Sequence, residues 1–146
     1  MRKSQVPMAD NVRPLILIVD DDTAVRELLK LHLVGEGYDV RLADDAIVAG
    51  RSLRESPPDL MLVDIAMPYM DGIDFVATVK ADAAAPDVPI VFITGNAEVM
   101  SRAQALDAPC LKKPFTVAQL LDVVRRELAR RAPQRRARLD YLSAST

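Results

Sequence analysis

The chain has 146 residues, 50% hydrophobic and 27% charged, with a formal net charge of −2. A chain of that size buries about 68% of its unfolded surface, enough for one domain that needs neither a disulfide nor a metal to fold. One Cys and one His exclude an internal disulfide, a multi-cysteine zinc site and a His-rich metal site, and no apolar run reaches the ~20 residues of a membrane span or forms a signal peptide.

Residues 1–13 are polar and read as a flexible leader. The apolar run Leu15-Ile16-Leu17-Ile18-Val19 enters Asp20-Asp21-Asp22 and predicts a first strand over 15–20. A helix follows over about 23–34, with Val25, Leu28, Leu29, Leu31 and Leu33 as its apolar face. Asp22 or Thr23 can cap its first N–H groups, and Gly35-Glu36-Gly37 stops it. A second strand spans 38–43. Asp44-Asp45 open a second helix that ends at Ser56-Pro57-Pro58.

The third strand is central. Leu60-Met61-Leu62-Val63 runs straight into Asp64, and Pro68 lies four residues on. A continuous apolar run bounded by turn residues reads as a strand buried on both faces, with Asp64 at its carboxyl end. A loop over 65–72 leads to a third helix over about 73–81. Pro89-Ile90-Val91-Phe92-Ile93 predicts a fourth strand ending at Thr94. A short, weakly amphipathic fourth helix over 97–106 precedes a fifth strand over 109–112, which ends in Lys112-Lys113-Pro114-Phe115. Thr116 caps a fifth helix carrying Val117, Leu120, Leu121, Val124 and Leu128 at helical spacing. The pattern is expected to stop at Pro133, leaving 132–146 as a basic and polar tail. Residues 125–138 hold seven Arg and one Glu, against a net of −7 over 1–124. The acidic body argues against nucleic-acid binding.

Strands alternating with helices imply right-handed crossovers and one parallel sheet, an α/β (βα)₅ fold. All strand ends then share one edge, where ligands bind. Asp20, Asp21 and Asp64 meet Thr94 and Lys113 there. Two carboxylates ~5 Å apart repel by ~3 kcal/mol at an effective dielectric of 20, and a hard cation, Mg²⁺ or Mn²⁺, removes that cost. Acids, a lysine, a threonine and such a cation are what phosphoryl transfer requires. The plain alternative is a structural ion-pair network. For Asp22 alone, helix capping is the better reading. His32 reads as a packed or half-exposed residue, and Met61, Met67 and Met70 as filler.

In this order and spacing, Asp20-Asp21, Asp64, Met67-Pro68-Tyr69-Met70-Asp71-Gly72, Thr94 and Lys113-Pro114-Phe115 resemble a response-regulator receiver domain of two-component signalling. The resemblance covers about residues 14–131. It implies a flavodoxin-like doubly wound sheet of order 2-1-3-4-5 with helices on both faces. It implies Asp64 as phosphoacceptor, Thr94 and Lys113 as the groups that meet the phosphoryl, and Mg²⁺ held by Asp20, Asp21, Asp64 and the backbone carbonyl of Ala66. It also implies a cis Lys113-Pro114 bond, and a φ > 0 turn at Gly72 before helix three. The expected partners are a sensor histidine kinase or histidine phosphotransfer protein, and a downstream protein at the face formed by helix four, strand five and helix five. A cytoplasmic monomer or weak dimer is expected, not an enzyme beyond its own phosphorylation and slow dephosphorylation.

Three departures stand out. Cys110 occupies the position, three before the lysine, where the family usually has Tyr, Phe or His. Eighteen residues separate Thr94 from Lys113, a short spacing, with Asp107-Ala108 where Gly-Ala is usual. No DNA-binding or catalytic output domain is expected after residue 131, and a stand-alone phosphoacceptor is the expectation. The competing expectations are a receiver-like binding module that works without phosphorylation and a haloacid-dehalogenase-type hydrolase. Asp20-Asp21-Asp22-Thr23-Ala24 is a near match to the hydrolase motif, but that family needs a larger chain and further acids near the C-terminus.

Overall fold

The computed structural model of the protein describes residues 13–67 and 71–144, with side chains through Arg130. The leader over 1–12 and Pro68, Tyr69 and Met70 lie outside the described residues. The elements run β1 (Leu15–Val19), α1 (Thr23–Gly35), β2 (Asp39–Ala43), α2 (Ala46–Glu55), β3 (Leu60–Asp64), α3 (Gly72–Ala81), β4 (Ile90–Thr94), α4 (Met100–Gln104), β5 (Cys110–Lys112) and α5 (Val117–Ala144). The five strands pair in parallel in the order β2-β1-β3-β4-β5.

Continuous apolar strands are what a sheet covered on both faces requires. Ile16, Ile18, Leu60, Leu62, Val91 and Ile93 face α1 and α5, where Leu29, Leu33, Leu120 and Val124 close one core. The alternate residues Leu17, Val19, Met61, Val63 and Phe92 face α2, α3 and α4, where Leu53, Phe75, Val76 and Ala103 close the other. The chain leaves β1 toward β2, then returns to the far side of β1 for β3. That reversal puts the topological switch point between β1 and β3, where Val19, the last residue of β1, is in register with Val63, the residue before Asp64. Asp20 and Asp64 therefore end neighbouring strands.

Side chains start each long helix. Asp22 accepts from Ala24 N at 2.9 Å and Val25 N at 3.2 Å, Asp45 from Val48 N at 2.8 Å, and Asp71 from Ile73 N at 2.7 Å. Thr116 and Gln119 form a reciprocal capping box, Gln119 N donating to Thr116 Oγ1 at 3.0 Å and Thr116 N to Gln119 Oε1 at 2.8 Å.

Four expectations need correction. The buried stripe of α1 is Val25, Leu29 and Leu33, at four-residue spacing; Leu28 and Leu31 point outward, 54% and 67% exposed. Their offsets of one and two residues from Leu29 turn them ~100° and ~200° away from the sheet. The fourth helix is split into a 3-10 turn, Ala97–Val99, and the five-residue α4. The turn that follows it over 105–107 closes on Asp107, which adopts a left-handed φ of 55°. Gly72 is not a positive-φ residue; Gly37 is, at 99°. Finally, α5 continues past Pro133 to Ala144. The Pro removes one helical N–H, but Ala, Arg, Gln and Leu around it are strong helix formers.

Candidate functional site

Parallel pairing brings the predicted residues to one edge. Carboxylate oxygens of Asp20, Asp21 and Asp64 lie within 4.8 Å of one another. Asp20 and Asp64 are buried, at 1% and 6% exposure, while Asp21 is exposed. Lys113 Nζ stands 3.9 Å from Asp64 Oδ1. It is carried there by β5, whose following residue donates Lys113 N to Thr94 O at 2.7 Å. The Lys113-Pro114 bond is cis. Thr94, 2% exposed, ends β4, and its Oγ1 accepts from Asn96 N at 3.0 Å.

Asp64 is fixed from several sides. Its Oδ1 accepts from Ala66 N at 3.3 Å, and Ala66 itself is exposed at the rim. Ile65 N donates to Ile93 O at 3.0 Å, and Gly72 N to Ile65 O at 2.8 Å, folding the start of α3 back onto the strand end. Gly72 is needed for that approach: a Cβ there would lie 2.4 Å from the Asp64 carbonyl oxygen and 2.9 Å from Ile65 Cα. The predicted glycine is thus required, but for close packing.

The acids disturb one another. Burial, then the Asp20 charge, push the Asp64 carboxyl up to about 6, against the opposing pull of Lys113 and the Ala66 N–H. Burial also raises Asp20, opposed by the Asp22 N–H and Lys113. Asp20 Oδ1 accepts from Asp22 N at 2.9 Å, whereas Asp20 Oδ2 is buried with no hydrogen-bond partner. Two raised carboxyls and an orphaned carboxylate oxygen form an all-oxygen donor set, which suits a hard divalent cation.

A family model described as the response regulator receiver domain matches residues 16–125. The chain belongs to the response-regulator receiver family. Among curated receiver-containing relatives, the DNA-binding response regulator MtrA of Mycobacterium tuberculosis is 36% identical over 124 residues, covering 83% of this chain and 53% of the relative. The DNA-binding dual master transcriptional regulator RpaA of Synechocystis is 34% identical over 126 residues, covering 83% and 52%. The chain thus spans about half the length of these relatives. Among solved structures, a CheY-like receiver domain protein from Methanospirillum hungatei superposes with a TM-score of 0.75 at 28% identity, covering 84% of this chain and 99% of that one. The chemotaxis protein CheY4 of Vibrio cholerae gives 0.71 at 29% identity, covering 79% and 98%.

Elsewhere, the receiver has altered chemistry. Cys110 is half-buried and packs against the α2–α3–α4 core, and burial pushes its thiol up, so it presents neither a ring nor a reactive thiolate. His32 is half-buried on α1. Of the Arg-rich segment, Arg125 pairs with Glu36 at 3.0 Å, Arg126 with Asp122 at 3.6 Å and Arg130 with Glu127 at 3.2 Å. The first ties α5 to the end of α1, and the other two are pairs within α5. The side chains of Arg131, Arg135, Arg136 and Arg138 lie outside the described residues. Among the described residues, no helix is long and apolar enough to cross a membrane.

Sequence reasoning missed two contacts. Arg102 of α4 reaches Asp71 Oδ2 at 3.0 Å and Asp74 Oδ1 at 3.6 Å, tying α4 to the start of α3. No local pattern signals a pair thirty-one residues apart. Arg26 of α1 donates to the backbone carbonyl of Asp20 at 2.7 Å. Its signal was legible: a cation in a helix's first turn, where the dipole disfavours it.

Proposed function

We propose that the chain accepts a phosphoryl group on Asp64 from a phosphohistidine of a sensor kinase or phosphotransfer protein, and passes the signal on by protein contact or onward transfer. The observation that carries this is the buried Asp64 carboxylate, 3.9 Å from Lys113 Nζ and gathered with Asp20 and Asp21 within 4.8 Å. An Asp64 oxygen attacks phosphorus, an O–P bond forms, and the P–N bond to the donor imidazole breaks. The Lys113 ammonium meets the charge on the phosphoryl oxygens, and the Thr94 hydroxyl, whose oxygen already accepts the Asn96 N–H, has a proton to donate to them. Asp20, Asp21, Asp64 and the Ala66 carbonyl would hold Mg²⁺, or Mn²⁺ in its place. When bound, the cation offsets the mutual repulsion of the carboxylates and the incoming phosphoryl group. Ala66 has no polar atom to orient a hydrolytic water, which favours slow self-dephosphorylation.

The same reading divides the chain into a leader over 1–13, the receiver over 14–131 and a basic extension over 132–146. It places the protein in the cytoplasm, with an output partner on the α4–β5–α5 face. Incubation with Mg²⁺ and acetyl phosphate should add the mass of one phosphoryl group to the wild type and none to Asp64→Asn. A mutant that still gains it, or a wild type that never does, overturns the assignment and leaves a receiver-like module working without phosphorylation.

A further inference from the structure

We propose that Arg26 is the positioning residue of the acidic edge, a role that rests on the phosphoacceptor reading above. Its guanidinium holds the Asp20 carbonyl and thereby sets the carboxylates of Asp20 and Asp21 for a divalent cation. Arg26 Nη1 donates to Asp20 O at 2.7 Å, and Nη2 to Thr23 Oγ1 at 3.3 Å. The two bonds span the turn between β1 and α1, and the side chain making them is half-buried.

The remaining tethers of Asp20 explain why that carbonyl matters. Asp20 N donates to Ala43 O at 3.1 Å, and Asp20 Oδ1 accepts from Asp22 N at 2.9 Å. With its carbonyl taken by Arg26, Asp20 has one acceptor left without a partner, the buried Oδ2. That oxygen belongs to the residue whose carboxylate joins the Asp21 and Asp64 cluster. Arg26 therefore completes a frame in which the only uncommitted group is the one a cation would use.

Placement on the helix supports the same role. The first turn of α1 contains no acidic residue, yet it contains this arginine. A cation there opposes the helix dipole, so the position is not explained by helix stability. The planar fork engages the two oxygens from separate nitrogens in a preorganised geometry, whereas a lysine would have to reach both from a single point on a flexible stem. Groups that orient metal ligands from behind typically change metal affinity by 10–100-fold when removed.

The test is a Mg²⁺ titration of the whole chain, following the amide resonances of residues 20–22 and 64–66, well below each variant's melting midpoint. Arg26→Ala should bind Mg²⁺ about tenfold more weakly than the wild type, the lower end of that range. Arg26→Lys should recover part of the loss, since its ammonium restores a cationic donor without the fixed fork. Wild-type affinity in Arg26→Ala, or a loss that merely tracks the fraction unfolded, overturns the role of Arg26. If Arg26→Ala does not fold, Arg26→Gln is titrated in its place and judged by the same criterion. A wild type without any Mg²⁺-dependent shift removes instead the phosphoacceptor reading on which the role rests.

Discussion

The two halves of the carboxyl edge are built differently. On the β1–β3 side, Asp20 is tethered at its amide, carbonyl and Oδ1, and Asp64 is pressed from behind by Gly72. On the β4–β5 side, the connection is a 3-10 turn and a five-residue α4 with no side-chain cap at Val99, ending in a left-handed Asp107. Chemistry at a fixed carboxylate needs preorganised geometry, and a part that responds to that chemistry needs low local stability. The receiver places buried tethers under the acids and holds the neighbouring turn more loosely, by an exposed Asn96 cap and the exposed Arg102 pairs. With Cys110 in place of a ring, the loose side also lacks the aromatic group that normally reports a threonine movement.

The largest way to break this contrast is at its stiffest point. Gly72→Ala should cost about 3 kcal/mol, because the new Cβ meets backbone atoms that cannot step aside. Urea unfolding of the two proteins measures it, and a cost under about 1 kcal/mol would mean the β3–α3 turn is more pliable than its packing implies.

Next comes pH, which probes the same acids. Asp64 titrates near 6 in the folded protein against an ordinary value of 3.8, so the folded state binds that proton more tightly than the unfolded chain. The resulting destabilisation is absent below about pH 4 and complete above about pH 6, on the order of 2–3 kcal/mol. Stability without divalent cations should therefore fall as pH rises through that window, other groups aside. Excess Mg²⁺ should flatten the profile. Asp64→Asn should remove most of it, leaving the smaller share of the raised Asp20 carboxyl, and an undiminished slope in that variant would assign it to another group.

On the loose side the effects should be smaller. Asp107→Gly should stabilise the chain by about 1 kcal/mol, by relieving a left-handed conformation that costs other residues ~1–2 kcal/mol. No gain in thermal midpoint would show that the Asp side chain already offsets the strain. The smallest effect should come from Arg102→Ala, which loses exposed ion pairs to Asp71 and Asp74. Its cost should be under about 1 kcal/mol and shrink in high salt. Hydrogen exchange should speed up in 97–104 while residues 60–64 keep their protection. Loss of protection in both regions would erase the distinction between the halves.

Much of the fold was legible in the residues because it depends on period and punctuation. Apolar runs at strand length, Asp and Thr caps, and alternation of strand with helix imply a parallel doubly wound sheet whatever the detailed packing. The site was legible for the same reason: Asp64 and Thr94 end strands, and Asp20 and Lys113 follow directly on them, so parallel pairing alone brings them to one edge. Composition excluded cysteine and histidine metal sites without any coordinates.

Tertiary structure decided what depends on distance between segments far apart in sequence. Only packing turned Leu28 and Leu31 outward, since both carry the same hydrophobicity as the buried Leu29 and Leu33. The close approach of Gly72 to Asp64 and the reach of Arg102 across to α3 are set by how neighbouring turns meet. The raised Asp64 carboxyl and the orphaned Asp20 Oδ2 follow from burial, which sequence pattern cannot supply for a single polar atom. Sequence determines which groups arrive at the edge, through local periodicity. Their distances and solvation, and hence their chemistry, are properties of the packed whole.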